Sequence, residues 1–276
     1  ILAVNSVDLW LEGIHLEDNN PTMPAFEVDN GDTMPGGASG RVQVTNAHVV
    51  AETPGQPAVK FHRAAVEVNG LTMAGNHSGL EWRGDNNGQF PSFLNNSVLS
   101  GTQCVLLEGH LSLNGHGNRI SSACTGSITL TDSQVNWSGL VDDRAGAGSP
   151  TVMSLDTSSN LHLHQPVNVS ASSAALASGA TLDVAWDLTV WVINNNSNGV
   201  PDASVNVSFS SFEPYVLTAT NEYGTLFLPD FISQRWTSSG SSALNTVDVD
   251  CGYRGVQNTT SLTYDNDLVV YCHLPL

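Results

Sequence analysis

The sequence predicts an all-β protein: a solenoid of stacked strands followed by a β-sandwich. Three observations carry this expectation. A short apolar phrase recurs through the first part of the chain, the spacing changes to alternation after Asp187, and no repeat unit holds a helical stretch built on apolar residues at i, i+3, i+4 and i+7.

The phrase places apolar residues at n and n+2, a small or polar residue at n+4, and another apolar residue near n+7. It reads Leu9, Leu11, Gly13, Leu16, then Val42, Val44, Asn46, Val49, then Val66, Val68, Gly70, Met73, and again Ile128, Leu130, Asp132, Val135. Looser copies start near Ser92-Phe93, at Leu111-Leu113-Gly115 and at Leu161-Leu163, so successive starts lie 17 to 33 residues apart. A period of this kind marks a solenoid. The n, n+2 pair puts two side chains on one face of a strand. Asn, Gly or Asp at n+4 suits a bend, because these residues tolerate left-handed backbone. A second apolar strand precedes most copies: Ala25–Val28, Ala58–Phe61, Gly79–Trp82, Cys104–Leu107 and Val152–Leu155.

The unit of strand, connector, strand, tight bend and short strand resembles the right-handed parallel β-helix of the pectate-lyase-like superfamily. That resemblance implies coils stacked with inward side-chain ladders over residues 1–183. Cys104 and Cys124 stand 20 residues apart, which reads as one coil. Neighbouring rungs lie about 4.8 Å apart, and a disulfide needs Cα atoms about 4.4–6.8 Å apart. A bond between coils is therefore allowed, and two buried thiols are the alternative. An end coil leaves apolar rungs and unpaired backbone to be covered, either by residues 1–8 or by a neighbour.

After Asp187 the alternation Leu188-Thr189-Val190-Trp191-Val192-Ile193 begins, and short strands follow at Ala203–Phe209, Tyr215–Thr220, Gly224–Leu228, Val247–Val249 and Leu268–Tyr271. Turn signals lie between them, which argues for a sandwich over 184–276. Asn198-Gly199-Val200-Pro201-Asp202-Ala203-Ser204-Val205 resembles the opening of carboxypeptidase-regulatory-like domains, and Thr220-Asn221-Glu222-Tyr223-Gly224-Thr225-Leu226-Phe227-Leu228-Pro229 is similar to their second turn, with Asn221 where Asp is usual. The resemblance covers about residues 187–232. It implies an Ig-like or transthyretin-like sandwich and no catalysis by itself. Cys251 and Cys272 are expected to staple the last strands.

The 276 residues carry 26 acidic and 8 basic side chains, for a net charge of −18, and Lys60 is the only lysine. Such a surface repels nucleic acid and anionic lipid and suits a salty medium that screens self-repulsion. It reads as an extracellular or cell-surface chain of marine or halophilic type, or as an ordinary acidic secreted protein. Four cysteines without a C-x-x-C motif fit an oxidising compartment. Seven N-x-S/T sequons, at Asn76, Asn95, Asn136, Asn168, Asn195, Asn206 and Asn258, are glycosylation candidates. No run of about 20 apolar residues is present, so no membrane insertion is expected. The chain reads as a mature protein or a piece of a longer one.

For catalysis, Asn114-Gly115-His116-Gly117-Asn118-Arg119-Ile120 resembles the G-H-G segment of polygalacturonase-type glycosidases, and Asp142-Asp143 is an acidic pair. The order is reversed relative to that family, and adjacent strand residues point to opposite faces. Glycoside hydrolysis needs two carboxylates about 5–10 Å apart across one bond. The plainer reading has Gly115 and Gly117 form the bend with His116 exposed. Asp29-Asn30-Gly31-Asp32, Asp85-Asn86-Asn87 and Asp265-Asn266-Asp267 are either solvated turns or oxygen ligands for calcium, without EF-hand spacing. No other cofactor is expected. His162 and His164 share one strand face and read as a zinc or copper pair lacking a third ligand, or as an outward rung. Trp10, Trp82, Trp137 and Phe90 are candidates for a sugar-stacking platform, with inward packing the better reading for Trp82 and Trp10.

These features favour an extracellular structural or adhesion protein, as a subunit of a repeating surface assembly or filament. A polysaccharide lyase or glycosidase, and a glycan-binding module on a β-helix, are the alternatives. The expected partners are further copies, other domains of a longer chain, or glycans.

Overall fold

The computed structural model describes residues 9–18, 22–29, 41–84, 92–144, 153–169, 174–209, 212–243, 246–263 and 266–276. Among them the regular elements are all β-strands. The chain divides into two compact units, Ile1–Leu182 with Thr237–Ser239, and Asp183–Trp236 with Gly240–Leu276.

The first unit is a β-solenoid of three parallel stacks. In one stack, Leu9–Glu12 lies on the first half of Arg41–Ala51, followed by the first half of Ala65–Ala74, Ser92–Asn95, the end of Cys104–His116, the end of Ile128–Ser138 and Asn160–His164. A second runs from His15–Asp18 through the later halves of Arg41–Ala51 and Ala65–Ala74 to Val98–Leu99, Arg119–Ile120 and Val141–Asp142. The third holds Phe26–Asp29, Val59–His62, Gly79–Arg83, the starts of Cys104–His116 and Ile128–Ser138, Met153–Leu155 and Ala175–Leu176.

The bend between the first two stacks is the n+4 position of the copies starting at Leu9, Val42, Val66 and Ser92, and later coils place it at Gly117 and Gly139, while Asp132, n+4 of the Ile128 copy, has φ 50° and turns from the third stack to the first. Gly13, Asn46, Gly70, Asn96, Gly117 and Gly139 have φ of 62, 54, 80, 50, 63 and 63°, where only Gly and Asn sit at little cost. Four of their amides donate to the next coil: Gly13 N to Thr45 O, Asn96 N to His116 O, Gly117 N to Ser138 O and Gly139 N to His164 O, at 2.8–2.9 Å. Gly115 departs from expectation. It stays within the strand, and a Cβ there would lie 2.1 Å from Leu94 O and 2.9 Å from Asn118 Nδ2. Close approach of two coils, and not a bend, requires glycine at 115.

Alternation drives the inward ladders. Val44 registers with Val68, and Val68 with Leu94. Phe26, Phe61 and Trp82 stack edge to face, with ring centroids 5.8 and 4.7 Å apart, and all three are fully buried. Such burial stabilises by about 1.5–3 kcal/mol per large apolar side chain. Polar residues turned inward at the corners are bonded to backbone: Asn118 Nδ2 donates to Leu94 O (2.6 Å), Ser97 N to Asn118 Oδ1 (3.1 Å) and Leu71 N to Ser97 Oγ (3.1 Å). This satisfies backbone groups that a tight corner would otherwise orphan.

Cys104 and Cys124 form a disulfide with Cα atoms 5.2 Å apart. Val105 registers with Ile128, so Ser127, not Cys124, is the rung equivalent of Cys104. The bond joins neighbouring coils through the connector that precedes the strand.

The second unit holds an antiparallel sheet in the order Phe212–Ala219, Ser204–Phe209, Thr246–Tyr253 and Val256–Thr263. Thr181–Ile193 pairs in parallel with Leu268–His273, in register Leu188 to Leu268, and also pairs with Thr225–Thr237. Leu188, Val190, Val192, Val270 and Cys272 from the second group share one buried core with Val205, Val207, Val247, Val249 and Cys251 from the first. Two sheets closing on one core are compatible with a β-sandwich. The Cys251–Cys272 disulfide crosses that core, with Cα atoms 6.3 Å apart. Thr220 Oγ1 donates to Val200 O (2.7 Å) and accepts from Ala203 N (3.0 Å), so it ties the two sequence phrases of this unit together.

Candidate functional site

The first stack carries the chemistry-bearing residues of the solenoid on its outer side. Leu161 and Leu163 point inward and are buried, so alternation sends His162 and His164 outward. His162 registers with Asn136 and His164 with Ser138, and Ser138 registers with His116. His116, Ser138 and His164 therefore form one outward row. His116 is exposed, its backbone N donates to Asn95 Oδ1 (3.1 Å), and Ser138 Oγ lies 3.4 Å from His164 Nδ1. Among the described residues, no group of three His, Cys, Asp or Glu is placed to hold a metal ion.

Asp142 and Asp143 leave this row and separate from each other. Asp142 registers with Ile120, an inward position, and is fully buried. Its Oδ1 accepts from Arg144 N (2.9 Å) and Nε (3.1 Å), and its Oδ2 from Nη2 (3.0 Å). Arg144 Nη1 donates to Gly126 O at 2.6 Å and lies 3.7 Å from Cys124 Sγ. Asp143 points outward and pairs with Arg119, whose Nη2 donates to Oδ1 at 2.8 Å. That hydrogen bond raises the Arg119 pKa. The two carboxylates thus act through opposite sides of the wall, and each is held by its own arginine.

Many other outward polar side chains bridge coils. Asn96 Nδ2 donates to Asn69 Oδ1 (2.9 Å), Asn136 Nδ2 to Asn114 Oδ1 (3.2 Å), Asn160 Nδ2 to Gln134 Oε1 (2.7 Å) and Gln43 Nε2 to Glu67 Oε2 (2.9 Å). His110 Nδ1 lies 2.7 Å from Asp132 Oδ2.

The aromatic candidates divide. Trp82 and Trp137 are buried core residues, which removes them from any outer platform. Trp10 is 76% exposed, contrary to the inward expectation, because Leu9 and Leu11 take the inward register with Val42 and Val44. Phe90 and Asp85-Asn86-Asn87 lie outside the described residues, as do Asn30, Gly31, Asp32 and Asp265 of the other two acidic turns and residues 1–8. Of the sequons, Asn76, Asn136, Asn168, Asn195 and Asn258 are exposed, while Asn95 and Asn206 are half-buried.

The sequence reading missed a pair of rings in the second unit. Trp191 and Tyr271 stand side by side on paired strands, 6.5 Å between centroids and 29° between planes. The signal was present in the alternation, since inward Val190 and Val192 force Trp191 outward. Compared with known proteins, the chain matches no protein-family model, no curated sequence and no solved structure.

Proposed function

We propose that this chain is an extracellular or cell-surface structural protein that serves adhesion. The observation that carries this reading is the use of its outer polar side chains. Asn69 with Asn96, Asn114 with Asn136, Gln134 with Asn160 and Arg119 with Asp143 tie one coil to the next. Rung-to-rung bonding of this kind stiffens a stalk. Stacked repeats extend with nearest-neighbour contacts, which suits display or a repeating assembly. The two disulfides fit an oxidising compartment, and no helix of the described residues is long and apolar enough to cross a membrane. The resemblances to the pectate-lyase-like superfamily and to carboxypeptidase-regulatory-like domains point the same way, as extracellular architectures.

The test is adhesion against turnover. Full-length protein is incubated with surfaces coated with cell-envelope material and with a broad panel of polysaccharides. Retention on the surfaces, with neither reducing ends nor unsaturated uronates released, is expected. Release of either product at a catalytic rate, lost in His116→Ala, overturns the reading in favour of a carbohydrate-active enzyme.

A further inference from the structure

We infer that the outer face of the sheet containing Trp191 and Tyr271 is a binding platform for a neutral glycan chain. The inference rests on the adhesion reading and names the ligand class that adhesion would use.

Alternation fixes the platform's geometry. Leu188, Val190 and Val192 fill the core of the second unit, so Thr189 and Trp191 face out. The partner strand repeats the pattern: Val270 and Cys272 are buried, while Val269 and Tyr271 are 52 and 55% exposed. Register sets Trp191 beside Tyr271 and Thr189 beside Val269. On the strand paired to the other side, Leu226 and Leu228 pack against the core and Phe227 between them is 57% exposed. Three neighbouring strands therefore each present one outward ring.

Trp191 is 37%, Tyr271 55% and Phe227 57% exposed, and clustered apolar exposure of this kind marks an interaction site. The rings of Trp191 and Tyr271 are stacked with centroids 6.5 Å apart and planes 29° apart, too far for full face-to-face contact. Their negative π faces suit the electropositive C–H face of a pyranose ring. Thr189 and the exposed His273 flank them with hydrogen-bonding groups. Cys272, next to Tyr271, is anchored by its disulfide to Cys251, so the platform is held before ligand arrives. Charge selects among partners. A chain with net charge −18 repels an acidic polysaccharide, a nucleic acid and an anionic membrane. A neutral glycan meets no such barrier.

The test uses the full chain and isothermal titration with neutral cello-, laminari- and chito-oligosaccharides, against oligogalacturonate. At least one neutral series is expected to bind. Trp191→Ala and Tyr271→Ala should each weaken it about tenfold or more, Trp191→Phe should retain most of it, and Trp10→Ala, at the other exposed tryptophan, should leave it unchanged. Equal binding by the wild type and by the Trp191→Ala/Tyr271→Ala double variant, preference for oligogalacturonate, or no binding across the series overturns the assignment. If the double variant still adheres to coated surfaces, the platform is refuted while the adhesion reading stands.

Discussion

Arg144 folds back onto the carboxylate of Asp142 two residues earlier, and both side chains are buried where the preceding rung places Ile120. A charge in an inward slot is tolerated because three donors of one arginine meet two carboxylate oxygens, and the remaining guanidinium nitrogen reaches Gly126 O. Arg144→Met removes the guanidinium that balances the buried Asp142 charge, so a loss of about 3–5 kcal/mol is expected. The double variant Asp142→Leu/Arg144→Met should recover most of that loss. Urea denaturation of the three proteins checks the order, and an additive double variant would show that the two groups act independently.

Gly199 and Gly224 are bound to glycine by contact. A Cβ on Gly199 would lie 2.0 Å from Tyr223 O, and one on Gly224 would lie 2.4 Å from Val200 N. Alanine at either position should destabilise by about 1–3 kcal/mol through overpacking, with the added strain of φ +77° at Gly224. Gly13 is the contrast: its φ is +62° with nothing within 4 Å, and Asn fills the same corner at 46 and 96. Gly13→Asn is expected to shift the urea midpoint little, while Gly224→Ala shifts it clearly.

His77 links stability to pH. Burial lowers its pKa below the ordinary 6.5, against a smaller opposing effect of Glu52. Its Nδ1 is buried with no hydrogen-bond partner among the described residues, and Nε2 lies 3.4 Å from Ser100 Oγ. The unfolded chain therefore takes up a proton at higher pH than the folded one. Stability is full above pH 6.5 and falls as pH drops from there toward the folded pKa. Urea midpoints measured from pH 7.5 to 5 should decline more steeply in the wild type than in His77→Gln; identical slopes would assign the decline to other groups.

The Cys104–Cys124 bond closes a loop of sequence separation 20. Cys104→Ser/Cys124→Ser should cost about 3 kcal/mol if the bond acts by restricting the unfolded chain. Thermal unfolding with and without reductant checks this: reductant should lower the wild-type midpoint toward that of the variant, apart from a further drop from the Cys251–Cys272 bond.

Much of the fold was legible because a coil repeats a local rule. The n, n+2 pairs became the inward ladders, and Asn46, Gly70, Asn96 and Gly117 became left-handed corners. Gly115 was misread because close approach of Leu94 O leaves no local mark in sequence. Trp10 was misplaced although the inward pair Leu9 and Leu11 on either side of it already sends it outward by alternation. Of the candidate site, His116 and the His162/His164 rung were readable as outward. The separation of Asp142 from Asp143 followed from strand alternation, whereas the capture of each by an arginine was not readable.

The sequence by itself determined an all-β chain, its acidic surface, the stacking period and the corner positions, since these depend on side-chain alternation and backbone preference within a few residues. Tertiary structure alone decided which neighbours meet: Cys104 with a connector cysteine, Arg144 with Asp142, Gly199 with Gly224, and Trp191 beside Tyr271. Apart from Arg144 and Asp142, which stand two residues apart and are brought together by the inward placement of their corner, those contacts join segments distant in sequence, and their register is a global outcome of burying every inward ladder at once.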